Sequence, residues 1–250
     1  MISIKSEQDL EKMREAGRIT VEALHLVRGH IAPGVTTAHL DQLIHAHIVK
    51  NGAKPNFLGY GGFPATACIS VNDEVIHGIP GSRVLKEGDI VSIDTGCVKD
   101  GFHGDAARTF PVGEVSDAAK ELIRVTRESF FEALKVVRAG MRIGDIGAAV
   151  AAYVERHGYS VVRDFTGHGI GRALHEDPAV PNYGTAGRGV RLRPGMVLAI
   201  EPMVNMGDCR VRILSDKWTT VTVDGALSAH YENTVAVTEG EPEILTTERH

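Results

Sequence analysis

Apolar residues recur at close to a 3.6-residue period at Leu10, Met13, Ile19, Leu24 and Val27. This pattern predicts a helix over residues 6–31, opened by Ser6 as a cap with acidic Glu7 and Asp9 behind it. Pro33-Gly34 breaks the period, and a second helix is predicted from Thr37 to Lys50, ending at Asn51-Gly52. Between 55 and 82 the texture changes to Gly-rich loops around a β-prone run, Ala67–Val71. The segment RVLKEGDIVSIDTG then reads as a turn at Glu87-Gly88 feeding a buried strand from Ile90 to Asp94. Near the other end, SAHYENTVAVT alternates as a strand does. It places His230, Glu232 and Thr234 on one face and Tyr231, Asn233 and Val235 on the other.

The same texture occurs twice. Residues 33–52 align without a gap on 139–158 at a shift of 106, carrying Gly34 onto Gly140 and Gly52 onto Gly158. Residues 83–94 align on 190–201 at a shift of 107, carrying Gly88 onto Gly195 and Asp94 onto Glu201. Each half therefore runs helix, turn, helix, loop and a strand that ends in a carboxylate. Chance likeness of amphipathic helices is the plainer explanation of either block, but a near-constant shift through both favours a duplication. Two such units in one short chain predict an α/β (α+β) fold: one pseudo-twofold domain spanning 1–250, with halves of about 1–120 and 121–250 meeting at a shared axis. Carboxylates at equivalent strand ends then approach one another, and like charges that close need a cation between them.

Composition narrows the setting. The 250 residues are 43% hydrophobic and 24% charged with a net charge of −5, which excludes a disordered chain and argues against nucleic-acid binding through a basic face. Cys68, Cys97 and Cys209 share no metal-type spacing and read as reduced thiols of a cytoplasmic protein. No signal peptide and no apolar run approaching the roughly 18 residues of a membrane span is expected.

The candidate chemistry lies in four segments. DTGCVKDGFHGDAARTF carries Asp94 and Asp105 on either side of Lys99-Asp100-Gly101, and a hairpin turn there returns the second aspartate to the first. Unrelated loop positions are the other reading. TGHGIGRALHEDP sets His168 among three glycines whose spacing fits no dinucleotide fingerprint, so a plain loop competes with a ligand-approaching backbone. Glu201 ends the apolar run VLAI, and Glu232 projects from an apolar strand; either is costly there unless paired or metal-bound, a solvent-facing sheet being the alternative for Glu232. Four carboxylates and an imidazole suit two divalent ions, with Mn, Fe, Co and Zn all compatible. Such a pair activates water for amide hydrolysis.

In order along the chain, CISVNDEVIHGIP (68–80), SIDTGCVKDGFHGDAARTF (92–110), TGHGIGRALHEDP (166–178), IEPMV (200–204) and SAHYENTVAVT (228–238) resemble the motifs of type I methionine aminopeptidases. These are hydrolases of the pitta-bread metallopeptidase fold, and the resemblance covers essentially the whole chain. It implies a pseudo-twofold repeat around an antiparallel sheet and removal of the N-terminal methionine from nascent polypeptides, with preference for a small second residue. It also implies two metal ions with a bridging hydroxide that attacks the peptide carbonyl. Asp94 would bind one ion and His168 and Glu201 the other, with Asp105 and Glu232 bridging. His175 would polarise the scissile carbonyl, His77 would contact the backbone beyond it, and Glu201 would shuttle the proton. Tyr60, Phe63, Cys68 and Trp218 would line the methionine pocket. From the residues alone, His77 and His175 read equally well as surface histidines, and Trp218 as a half-exposed packing residue.

The resemblance further implies peptides and nascent chains as partners, the ribosome among the contacts, no membrane, no sequence-specific nucleic acid and a monomer. His230 and Asn233 stand where relatives often carry Gln and His; His230 shares a face with Glu232, so it reads either as a residue behind the ligands or as an extra metal contact, and the metal preference stays open. No N-terminal extension is expected, and residues 176–200 leave no room for the insertion of the type II enzymes. A proline-specific peptidase and a catalytically inactive binding module share this fold and remain alternatives. A helical di-iron oxidase lacks its Glu-x-x-His pairs here.

Overall fold

The structure, a computed structural model, describes residues 2–247, so Met1 and residues 248–250 of the expected domain lie outside it. Four helices run over Glu7–Arg28 (α1), Thr37–Lys50 (α2), Asp117–Leu134 (α3) and Ile143–Arg156 (α4). The strands in the first half are Lys54–Pro55 (β1), Ala67–Val71 (β2), Glu74–Ile76 (β3), Ile90–Lys99 (β4) and Phe102–Pro111 (β5). In the second half they are Ser160–Val161 (β6), Gly167–Gly169 (β7), Glu176–Val180 (β8), Val197–Ile200 (β9), Met203–Asn205 (β10), Val211–Ile213 (β11), Thr220–Thr222 (β12), Ser228–His230 (β13), Asn233–Ala236 (β14) and Glu243–Ile244 (β15).

Local chemistry sets the helix ends. The Ser6 hydroxyl accepts from the Asp9 N–H at 3.2 Å while Asp9 accepts from the Ser6 N–H at 3.0 Å, a reciprocal capping box. The helix stops at Arg28, three residues short of the expected 31, because the Gly29 and His30 N–H groups turn back onto Leu26 and Val27. α2 has the expected bounds.

The mixed α/β architecture with antiparallel pairing agrees with expectation, but among the described residues the strands divide into four sheets rather than one. The strand Ile90 to Asp94 continues to Lys99 and turns through Asp100 (φ 50°) and Gly101 (φ 79°) into β5. Two successive positive φ values in a two-residue loop match the right-handed twist of the flanking strands. SAHYENTVAVT, expected as one strand, is broken at Tyr231–Glu232 opposite Glu201–Pro202. Pro202 has no N–H to return the 3.1 Å bond that its carbonyl accepts from Tyr231. The register nonetheless runs through the break, from Asn233↔Ile200 to His230↔Met203.

The halves repeat atom for atom at the junction of helix and strand. Gly34 N–H donates to Leu85 O at 2.8 Å and Gly140 N–H to Leu192 O at 3.0 Å; isolated bridges pair Thr36 with Val84 and Arg142 with Arg191. The turn glycines 88 and 195 sit at φ 87° and 82°. Each half buries its own helix pair: Ile19, Leu24, Leu40 and Ile44 pack on Val91 and Ile93, and Leu122, Phe130, Ile146 and Val150 pack on Leu198 and Val235. α1 lies close on β5, since a side chain at Gly104 would come within 2.7 Å of the Gly17 nitrogen. The open faces of the two halves meet along the seam that holds the site.

Candidate active site

The hairpin register explains how two aspartates converge. Asp94 pairs with Ala107 and Asp105 with Gly96, so both carboxylates stand on one face as a diagonal pair. Gly96 keeps that space open: a Cβ there would sit 2.5 Å from the Gly104 carbonyl oxygen and 2.9 Å from Asp105 Oδ1. Across the seam, Glu201 follows β9 and Glu232 lies in the break between β13 and β14. His168 is in β7, a strand rather than the loop that its glycines suggest. Gly167 and Gly169 serve close strand packing, because Cβ atoms there would stand 2.3 Å from Ala199 O and 2.2 Å from Asp177 O.

The His168 Nδ1–H donates to the Gly169 carbonyl at 2.9 Å, which fixes the tautomer and leaves Nε2 to face Glu201 Oε1 at 3.6 Å and Asp105 Oδ2 at 4.0 Å. Ligand atoms of Asp105, His168 and Glu232 lie within 4.8 Å of one another, as do those of Glu201, His230 and Glu232. Asp94 lies outside both triads and faces the same cavity. His230 also enters the cluster, in keeping with the face that it shares with Glu232, which from sequence left it either behind the ligands or as an extra metal contact.

Electrostatics disfavour joint ionisation of these carboxyls unless a cation lies among them. Two carboxylates about 4 Å apart repel by roughly 4 kcal/mol at an effective dielectric near 20. Burial pushes the Asp94 carboxyl up to about 7 and the Glu201 carboxyl up to about 8. Burial and then the neighbouring acids raise Asp105 and Glu232 well above the carboxylate range. Burial also lowers the His168 imidazole to about 4. Asp94 Oδ1, Asp105 Oδ1, Glu232 Oε1 and His230 Nε2 are buried with no hydrogen-bond partner among the described residues. Buried polar atoms are rarely left so, and oxygen donors with imidazole suit divalent transition metals. The donor set therefore fits metal ions.

Above the cluster is a cavity of about 160 Å³ that Tyr60, Phe63, Cys68, His77, His175 and Trp218 all line, together with Asp94, Asp105, His168, Glu201 and Glu232. Phe57 and Leu174, not singled out from sequence, complete its apolar wall; nothing but their apolar character marked them. A cavity of about 150 Å³ holds a benzene-sized group, so this one admits a single side chain. The Phe63 and Trp218 rings meet edge to face at 5.2 Å, and His77 stands edge-on to Trp218 at 6.2 Å. His77 holds φ at 59°, a conformation sparsely used outside glycine and often found at working sites. Burial lowers its imidazole to about 4. At the rim, His175 Nδ1 and the Tyr60 hydroxyl share a 2.7 Å hydrogen bond, and the His175 ring lies 4.2 Å from that of His168. All three cysteines are free, and Cys68, buried, forms part of the wall.

Comparison with known proteins bears on this site. The model of metallopeptidase family M24 matches residues 11–239. A methionine aminopeptidase of Clostridium perfringens is 57% identical over 246 residues, covering 98% of this chain and 99% of that protein. Methionine aminopeptidase 1 of Bacillus subtilis is 52% identical with the same coverage. The crystal structure of a methionine aminopeptidase from Thermotoga maritima superposes with a TM-score of 0.98 at 51% identity, covering 99% of this chain and 100% of that one. A prolidase from Pyrococcus furiosus, 23% identical, reaches a TM-score of 0.80 over 99% of this chain and 66% of its own, which makes it a relative in fold.

Proposed function

This chain belongs to the methionine aminopeptidases of metallopeptidase family M24, and we infer that it hydrolyses the peptide bond after an N-terminal methionine. The observation that carries the inference is one cavity whose floor holds buried metal-donor atoms of Asp94, Asp105 and Glu232 with no hydrogen-bond partner among the described residues, and whose wall is an apolar slot of side-chain size. Asp94, Asp105, His168, Glu201 and Glu232 would hold two divalent ions, Asp94 at one, His168 and Glu201 at the other, with Asp105 and Glu232 between them. Bound there, divalent ions supply Lewis acidity toward the scissile carbonyl and a water acidic enough to act near neutral pH.

The chain's own residues do the rest. The methionine side chain enters between Phe57, Phe63, Cys68, Leu174 and Trp218, where its thioether meets ring edges and a thiol. His175, held by Tyr60, donates to the carbonyl oxygen as negative charge develops there. His77, fixed by its backbone conformation, contacts the peptide beyond the cleaved bond. Glu201 accepts a proton from the attacking water at its carboxylate and delivers it to the leaving amine. We further propose a single catalytic domain over 1–250, acting as a monomer in the cytoplasm on peptides and on nascent chains at the ribosome. Among the described residues no helix is long and apolar enough to cross a membrane.

The test is peptide cleavage by metal-free protein supplemented in turn with Co, Mn, Fe or Zn. Methionine release from Met-Gly-Met that depends on added metal, is abolished reversibly by EDTA and weakens with a bulky second residue is expected. Cleavage of X-Pro peptides alone would replace this reading with that of a proline-specific peptidase.

A further inference from the structure

We propose that His230 is a sixth metal-ligating side chain, the pseudo-twofold counterpart of Asp105, so that each side of Glu201 carries one imidazole. The proposal rests on the reading above that the cluster holds divalent metal.

The backbone register makes the correspondence. In the first hairpin Ile90 pairs with Pro111 and Gly96 with Asp105; in the second Val197 pairs with Ala236 and Met203 with His230. The operation that carries Ile90 onto Val197 and Asp94 onto Glu201 therefore carries Asp105 onto His230. Side-chain hydrogen bonds repeat this exchange. The Asp105 N–H donates to Thr234 Oγ1 at 3.0 Å, and that hydroxyl donates back to the Asp105 carbonyl at 2.9 Å. The His230 N–H donates to Thr109 Oγ1 at 2.8 Å, and that hydroxyl donates back to the His230 carbonyl at 2.9 Å. Between them Ala107 and Glu232 exchange N–H···O bonds of 3.4 and 3.0 Å across the axis. Asp105 and His230 are thus held at equivalent places by equivalent clasps, one on each side of the seam.

The side chain points to the same role. His230 is 1% exposed, and its Nε2 is buried with no hydrogen-bond partner among the described residues. It stands 3.6 Å from Glu201 Oε2, longer than a good hydrogen bond. The other oxygen of Glu201 stands 3.6 Å from His168 Nε2. Two donors each about 2.1 Å from one ion are at most about 4.2 Å apart, so either imidazole shares an ion with Glu201 without rearrangement. An added imidazole favours Co and Zn over the harder Mn.

The test is titration of metal-free wild-type protein and of H230Q with Co(II), followed by calorimetry and visible absorption, with circular dichroism as the folding control. Roughly 10- to 100-fold weaker binding at one of the two sites, with changed d–d bands and a smaller loss for Mn(II), is expected. A variant indistinguishable from wild type in affinity and spectrum overturns the assignment while leaving the peptidase reading intact. A wild-type protein that binds no Co(II) overturns both. X-ray absorption of the cobalt-loaded wild-type protein needs no variant. Two imidazoles per chain support the proposal, and one overturns it.

Discussion

The hairpin of the first half and its counterpart in the second share a register and differ in how they close. From Lys99 to Phe102 the first turns through two residues. The equivalent pair in the second half, Met206 and Leu227, is joined by a 2.8 Å backbone bond, but the chain between them makes an excursion over residues 207–226. That excursion forms β11 and β12, and β12 pairs with β3 of the first half. It thereby carries Trp218 across the seam to Phe63 and His77. The first half keeps an unbroken ladder and supplies both aspartates. The second half interrupts its ladder at Pro202 and places Glu201 and Glu232 at the interruption. A duplicated frame fixes where the carboxylates converge, and the departure from duplication adds Trp218 to a cavity wall that Phe57, Phe63, Cys68 and Leu174 otherwise form.

Substitutions at matched positions sharpen that contrast. The largest effect is expected from Asp105→Ala, which removes a donor shared by the seam. Turnover of Met-Gly-Met should fall more than about 100-fold with the circular dichroism spectrum retained. Near-normal turnover would detach the first hairpin from the chemistry. Trp218→Ala tests the excursion. Losing one wall of a side-chain slot is worth about 1–3 kcal/mol, so kcat/KM for methionyl peptides should fall roughly 10- to 100-fold, mostly through KM. A fall confined to kcat would place Trp218 in the chemistry instead. The smallest effect is expected at Gly101→Ala, where φ is 79° and a Cβ would meet nothing within 4 Å among the described residues. Only backbone strain of about 1–2 kcal/mol should appear as a lower urea midpoint, with activity per folded molecule unchanged.

Much of this was legible in the sequence because it rests on local chemistry. The capped helix at Ser6, the break at Pro33-Gly34 and the Asp100-Gly101 turn each follow from one or two residues acting on their own backbone. The first part of the repeat was legible because its shift of 106 to 107 is nearly constant through glycines that must hold positive φ. The excursion at 207–226 changes the shift to 125 for the returning strands, so the match of Asp105 with His230 is lost to a comparison at fixed offset. Their side chains differ, and only the ladder reveals their equivalence. The strand break at Tyr231–Glu232 was hidden for a related reason: it is caused by Pro202, a residue distant in sequence. The glycines around His168 read most simply as a plain loop, whereas Gly167 and Gly169 admit neighbouring strands, a packing demand that no local pattern encodes.

The central claim is that donors from both halves form one dinuclear metal centre at the seam. Elemental analysis of protein stripped with EDTA, reloaded with Co(II) and desalted tests it most directly when wild type and Asp105→Ala are measured together. The account predicts about two equivalents of metal per wild-type chain and a marked loss in the variant. A folded wild-type chain that retains no metal, or a variant that retains as much as wild type, would contradict it.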